Sequence, residues 1–444
     1  MSGGTLPRAT VAETALFLAE VLVPTIAKGP LLRRPRAVGL AERLGLDARA
    51  VRRMQKLQAR HPDGPLLLRL PFRRQAVALA PEHVRKVLAG SPEPFAVASS
   101  EKRAALAHFE PGNVLVSHGP ERAVRRALHD RVLDSGQPVH LLAGHFLAVV
   151  EQEATALLQR ADRAGGLDWD SFLEGWDRMV RRVVFGDGAR DDRELTDMLT
   201  RLRAGANWAF LKPQRKELRE RFLSGIERRT AAAAEGSLAH LMAGLQPSGA
   251  AAPAAQVPQW LFALGNAAMP AFSTLGVLAT HEAQAARARR EALTDRTGGR
   301  DLPYLRACVL EVLRLWPTTP MVLRQSTRTV PWADGTMPAR CGVLIYLPYF
   351  HRDARHVRGA DGFEPARWLG REPAGWPLIP FSDGPAACPG KQLTLLLASA
   401  LLARLVRDRQ FSLASHHRLA PGDPLPGTFD HFSLRLAVAP AVPG

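Results

Sequence analysis

Cysteine is scarce in this chain, with three residues, Cys308, Cys341 and Cys388, among 444. Three cysteines cannot build a disulfide framework, so packing must hold the fold and a reducing compartment is implied. They also lack the paired spacing of a structural zinc site. Lysine is scarce as well, at 7 residues against 52 arginines. The net charge of +17 is nevertheless spread along the chain, with acids interleaved. No long basic block and no basic–aromatic alternation occurs, which argues against a nucleic-acid partner. Long uncharged runs are nearly absent. Residues 11–27 are interrupted by Glu13, Glu20 and Pro24, follow no basic segment and precede no convincing cleavage site. They read as a surface or packing helix. Residues 257–280, VPQWLFALGNAAMPAFSTLGVLAT, are uncharged over a bilayer-spanning length. Gln259, Asn266, Pro270 and Ser273 break their apolar character, so a central helix buried in a soluble protein is expected. No membrane anchor and a cytoplasmic location follow from that reading.

What is present is helical. Hydrophobic residues make up 46% of the chain, enough for a sizeable core. Helical periodicity or composition covers 43–60, 81–89, 120–134, 140–163, 169–184, 191–205, 214–233, 257–292, 302–315 and 391–408. Strand-like pieces are short: 66–72, 75–80, 323–327, 342–347 and 432–438. The stretch 247–257, PSGAAAPAAQV, reads as a surface loop or short linker. No repeat and no strong boundary appears. The expected architecture is a single domain over 1–444, mainly α with small peripheral β-sheets.

Three stretches carry chemistry. In LRACVLEVLRLWP, Glu311 and Arg314 lie three apart and share a face of an otherwise apolar helix. Such a pair needs further partners there, and Arg367 in FEPARW offers a second guanidinium. In PFSDGPAACPGKQL, residues 380–393, Cys388 sits among turn-forming glycines and prolines. A lone cysteine is ordinarily a small buried packing residue; a thiolate aimed at a metal is the sharper alternative.

Taken in order, Glu311-x-x-Arg314, Phe363 to Trp368, and Phe381, Gly384, Cys388 and Gly390 resemble the cytochrome P-450 family of haem-thiolate enzymes. LPYFHRDARH at 347–356 is similar to that family's turn-rich segment before the arginine element. The resemblance implies a cytochrome P-450 fold, with haem b (iron protoporphyrin IX) buried between a long central helix and the cysteine loop. Cys388 would be the iron ligand, shielded by Phe381, with Gly384 and Gly390 permitting the turn and the close approach. Cys308 and Cys341 are then packing residues. Ala386 stands where the family's loop usually carries Arg or His toward a haem propionate. Arg122 and Arg126, at i, i+4 on one helical face, and Arg324 match other propionate positions, while Arg125 reads as a solvated surface charge.

The same resemblance implies a monooxygenase acting on an apolar small molecule, a secondary metabolite, with O2 and electrons from an acidic ferredoxin and its reductase. Residues 93–115, a lid near 206–214, the central helix and 318–323 would line the substrate pocket, and a monomer is expected. One feature departs from the family. The central helix usually carries an acid followed by an alcohol that deliver protons during oxygen activation, and here Gly265 and Asn266 stand at those places. Asn266 is therefore the candidate catalytic residue, with Pro270 expected to free its carbonyl and open the helix. The alternative is a haem-thiolate enzyme that uses peroxide or rearranges its substrate.

Overall fold

A computed structural model describes residues 6–333, 335–370 and 375–441. Helices form where the apolar spacing places them. Pro81–Ala89 and Lys391–Asp408 have the expected bounds, and Leu46–Arg60, Gly119–Val132, Ala143–Ala164, Trp169–Phe185, Arg193–Ala206, Lys216–Ala231 and Pro303–Leu315 lie within a few residues of theirs. Pro81 and Pro303 open their helices, where a missing N–H is harmless. Near the N-terminus, Val11–Phe17, a π-helical turn Leu18–Leu22 and Val23–Ala27 form one packing element. Thr10 caps it: its hydroxyl accepts from the Glu13 N–H, while the Glu13 carboxylate accepts from the Thr10 N–H.

The long helix expected over 257–292 is instead three helices: Val257–Asn266, Ala268–Leu278 and Glu282–Thr294. Pro270 explains the first break. It has no N–H to donate to the Asn266 carbonyl, and no other backbone N–H does so among the described residues. The Ala267 N–H turns back to the Leu264 carbonyl at 3.1 Å, and the Trp176 indole donates to the same oxygen at 2.8 Å. Residues 249–278 are apolar and long enough to cross a bilayer, but they are largely buried within the protein. A helix apolar on all sides and enclosed by protein is a core helix. The 247–257 stretch forms two short 3₁₀ turns, Gly249–Ala251 and Pro253–Gln256. Gln256 is fully buried there, accepting from the Val114 N–H and donating to the Gly112 carbonyl.

The larger sheet runs Leu66–Leu67, Gln75–Val77, Gly342–Tyr346, Met321–Ser326 and Phe95–Ala96 in spatial order. Gln75–Val77 and Gly342–Tyr346 are parallel, with Ala76 opposite Val343, and the other pairs are antiparallel. Gly342–Tyr346 is buried throughout, as its Val-Leu-Ile run requires. Met321–Ser326 instead alternates, burying Val322, Arg324 and Ser326 on one face. That alternation carries the Arg324 side chain inward. The 66–72 stretch pairs over Leu66–Leu67, with the Leu68 N–H donating to the Gln75 carbonyl at 2.8 Å, and stops short of Pro71, which has no ladder N–H. The C-terminal strand is Arg435–Pro440, between Gly166–Asp168 and Arg409–Leu413, two strands whose sequences gave no warning.

Glu311 and Arg314 are completely buried. Arg314 donates to the Glu311 carboxylate through Nε at 2.9 Å and Nη2 at 2.7 Å. It also donates to the carbonyls of His351, Ala360 and Gly362 at 2.8, 2.7 and 2.9 Å. Glu311 accepts in addition from the Glu364 N–H at 3.0 Å and the Trp368 indole at 2.8 Å. Arg367 stands 3.6 Å away, an ion pair without a short hydrogen bond. Removing one member of such a pair leaves the other charged and buried. Glu311→Ala is therefore expected to cost about 3–5 kcal/mol, measured as a lowered urea midpoint and a poor yield of soluble protein. A wild-type midpoint would show that the pair carries no such load.

Candidate active site

The cysteine loop is shaped by its backbone. Gly384 has φ +69°, and a Cβ there would lie 2.4 Å from the Leu88 carbonyl oxygen, so only glycine fits against the helix Pro81–Ala89. Gly384 does not line the cavity described below; it seats the loop. Gly390 has φ −88°, which any residue adopts, and its missing Cβ would meet the Cys388 sulfur at an ordinary 4.0 Å. The freedom of backbone angle expected of Gly390 is thus not used. Its place at the start of Lys391–Asp408 matters instead, because it sets the Gly390 backbone N–H close enough to favour the Cys388 thiolate. Ser382, at φ +61°, is the strained non-glycine residue of the loop.

Cys388 is exposed toward a cavity and enclosed by protein elsewhere. Burial pushes its thiol up, opposed by the Gly390 N–H and by the positive charges of Arg126 and Lys391. A coordinating metal ion would deprotonate it outright. Cys308 and Cys341 are fully buried away from the cavity. Burial raises the Cys308 thiol well above its ordinary range and the Cys341 thiol to about 11.

The cavity has a volume of about 300 Å³, within the range of roughly 300–1,000 Å³ for an ordinary ligand site. Phe381, Cys388 and Gly390 line it, as do Gln259, Asn266 and Pro270 of the central helices. So do Lys102, Arg122, Arg126 and Arg324. Arg122 is buried, has no acidic partner, and its Nε has no hydrogen-bond partner. Arg324 donates to Ser91 Oγ at 2.9 Å and Ser382 Oγ at 3.3 Å, again without an acid. Burial, with Arg122 beside it, brings Arg324 down to about 10. Lys102 donates to the Leu323 carbonyl at 3.2 Å, and burial beside Arg324 and Arg122 depresses it strongly. None of the three has an ion-pair partner among the described residues. Gathering cations in the interior without counter-charge is unfavourable, and a dianion such as the two propionates of a haem would relieve it. The donor set fits the group.

Arg126, expected beside a propionate, has its Nε on Asp130 at 2.9 and 3.0 Å and its Nη1 on the Ala387 carbonyl at 2.8 Å. It ties the cysteine loop to Gly119–Val132. Arg125 is not a free surface charge, since it is partly buried and pairs with Glu121 at 2.7 Å. Lys102 escaped the sequence reading, because nothing in SEKRAAL separates it from the exposed charges around it.

Residues 267–432 match the sequence model of the family described as cytochrome P450, written here P-450. Over those residues the chain is similar to the cytochrome P-450 family. Curated relatives include a probable cytochrome P-450 4d20 of Drosophila melanogaster, 32% identical over 24% of this chain and 22% of that protein. A β-amyrin 24-hydroxylase of Glycine max is 32% identical over 27% of this chain and 25% of its own length. The matched stretch thus spans about a quarter of these relatives. Among solved structures, a cyanobacterial CYP120A1 with retinoic acid bound superposes with a TM-score of 0.69 at 17% identity, covering 87% of this chain and 94% of its own. At that identity the likeness shows the fold, and the fold is that of a cytochrome P-450.

Cys388→Ala is expected to abolish the thiolate-type spectrum of the reduced, carbon-monoxide-treated protein, whereas Cys308→Ala and Cys341→Ala keep it. Arg122→Ala and Lys102→Ala should each lower haem retention during gel filtration. Loss of the spectrum in a folded Cys308→Ala or Cys341→Ala variant would reassign the ligand.

Proposed function

We propose that this protein is a cytochrome P-450, a haem-thiolate monooxygenase that oxidises an apolar small molecule of secondary metabolism, using O2 and electrons from an acidic ferredoxin served by a reductase. The observation that carries the reading is one cavity lined by the Cys388 sulfur, three uncompensated cations and an apolar wall. Val97, Val114, Leu115, Phe262, Leu264 and Val322 belong to that wall, which suits an apolar ligand. Haem b, when bound, supplies a thiolate-pushed iron that favours O–O cleavage.

The chain's own residues do the rest. Cys388 ligates, and the Gly390 N–H steadies its sulfur. Phe381 borders the sulfur and limits access to water. Arg122, Arg324 and Lys102 hold the propionates in place of the side chain lost at Ala386. Arg126 and Lys391 lie close enough to bias the Cys388 thiol, and their charge on that side supports docking of an acidic electron donor. The reading places the enzyme in the cytoplasm as a monomeric single domain.

Asn266 takes the position of the missing alcohol. Its Oδ1 accepts from Arg203 Nη2 at 2.6 Å, so the amide nitrogen is the group left to act. That N–H and the carbonyl freed by Pro270 supply a donor and an acceptor on one residue, enough to hold one water as a proton carrier. A specific feature also favours peroxide as the oxidant: no carboxylate or hydroxyl occupies 265 or 266.

Turnover driven by ferredoxin and NAD(P)H, compared with turnover driven by peroxide, tests the choice. Asn266→Ala is expected to lower product formed per NAD(P)H several-fold with substrate affinity nearly unchanged, and Asn266→Thr to retain or improve coupling. Wild-type coupling in both would remove Asn266 from the mechanism, and efficient turnover with peroxide alone would favour the other oxidant.

A further inference from the structure

Glu110 lies between the helices Ser100–Leu106 and Gly119–Val132 and is 1% exposed. Its carboxyl oxygens are 2.8 and 3.1 Å from the Gln259 amide. No cation forms an ion pair with it among the described residues, and Arg203 acts on it at longer range. Burial pushes this carboxyl well above the usual carboxylate range. A buried acid without a counter-ion is unfavourable, and packing alone would be better served by leucine.

Gln259 projects from Val257–Asn266 and lines the same cavity as Cys388. A neutral Glu110 donates its O–H to the amide oxygen, and an ionised Glu110 accepts from the amide nitrogen. In either sense the Glu110 carboxyl fixes the amide, and the side chain lines the cavity. Around it the wall is apolar. Phe262 lines the cavity beside it, packed edge-on against Phe109 with ring centroids 5.5 Å apart. A fixed amide beside apolar side chains is how a ligand site sets orientation.

We propose that Gln259, held in place by Glu110, is the substrate-orienting hydrogen-bond site of this cavity, and that it takes one neutral oxygen, a hydroxyl or carbonyl, on an otherwise apolar substrate. The monooxygenase reading supplies the word substrate; binding is measurable without turnover.

The test uses haem-loaded protein titrated with 1-decanol and with decane, followed by the ferric Soret shift and by calorimetry. The ratio of the two affinities is compared between wild type and Gln259→Leu, which cancels the different hydration of the probes. The ratio should fall about tenfold in Gln259→Leu, the worth of one neutral hydrogen bond, with decane affinity unchanged. Glu110→Gln should keep most of the preference, and Glu110→Leu should lose it. If Gln259→Leu loads no haem, Gln259→Met makes the same comparison with an unbranched side chain. Equal ratios in wild type and variant overturn the proposal, as does a wild-type protein that binds no decanol. A chain that shows the ratio change yet fails to oxidise anything keeps this inference and loses the monooxygenase reading. Normal turnover with no ratio change does the reverse.

Discussion

The Glu311 carboxylate is the anchor on which the cysteine side of the molecule hangs. The chain from 351 to 368 has little regular structure of its own, so its carbonyls need partners from elsewhere. Arg314 takes three of them, and Glu311 makes that placement possible by neutralising the guanidinium and orienting it. One of the three belongs to His351, whose Nε2 in turn accepts from the Ile379 N–H at 3.1 Å, immediately before the cysteine loop. This acceptor role needs a neutral ring. Burial, with the Arg314 charge added, supplies one by bringing His351 down to about 3. A charge pair on one helix thus reaches the cysteine loop through a single imidazole.

A second constraint concerns where charge is allowed. The chain carries far more arginine than acid, and most of these side chains find carboxylates or carbonyls. Lys102, Arg122 and Arg324 find no acid, and they share one cavity with the cysteine. In a folded protein such a cluster is tolerable when a bound group completes it, so the imbalance itself describes the missing partner as anionic. Ala386 brings no cation to this cavity, and Lys102 reaches it from the helix Ser100–Leu106.

The elements most legible in the sequence were those whose apolar spacing is regular and whose ends carry proline or glycine, such as Pro81–Ala89 and Lys391–Asp408. The cysteine loop and the Glu311–Arg314 helix were legible because their chemistry requires fixed residue types at fixed spacing. Short edge strands were not: Gly166–Asp168 and Arg409–Leu413 adjoin helices, and pairing across the chain, not local propensity, makes them strands. Lys102, Gln256 and Glu110 were equally silent. Each is an ordinary polar residue whose role depends on what lies opposite it, and a linear pattern does not contain that information.

The central helix shows why the family's acid–alcohol pair can be absent without leaving the site featureless. Pro270 alone frees a carbonyl, but a carbonyl only accepts, and a water held by acceptors alone is poorly oriented. Asn266 alone would offer an amide that can rotate and present either end. Arg203 removes that ambiguity. Its guanidinium is fixed by the Leu31 carbonyl at 2.6 and 2.9 Å and lies over the Phe262 ring at 4.7 Å. With Oδ1 engaged by that cation, the amide nitrogen becomes the only end of Asn266 free to act. Donor and acceptor then come from one residue, at the point where the helix is already open. In the proposed mechanism, the task of a neighbouring carboxylate and hydroxyl is divided between a proline that uncovers the backbone and an arginine that sets the sense of an amide.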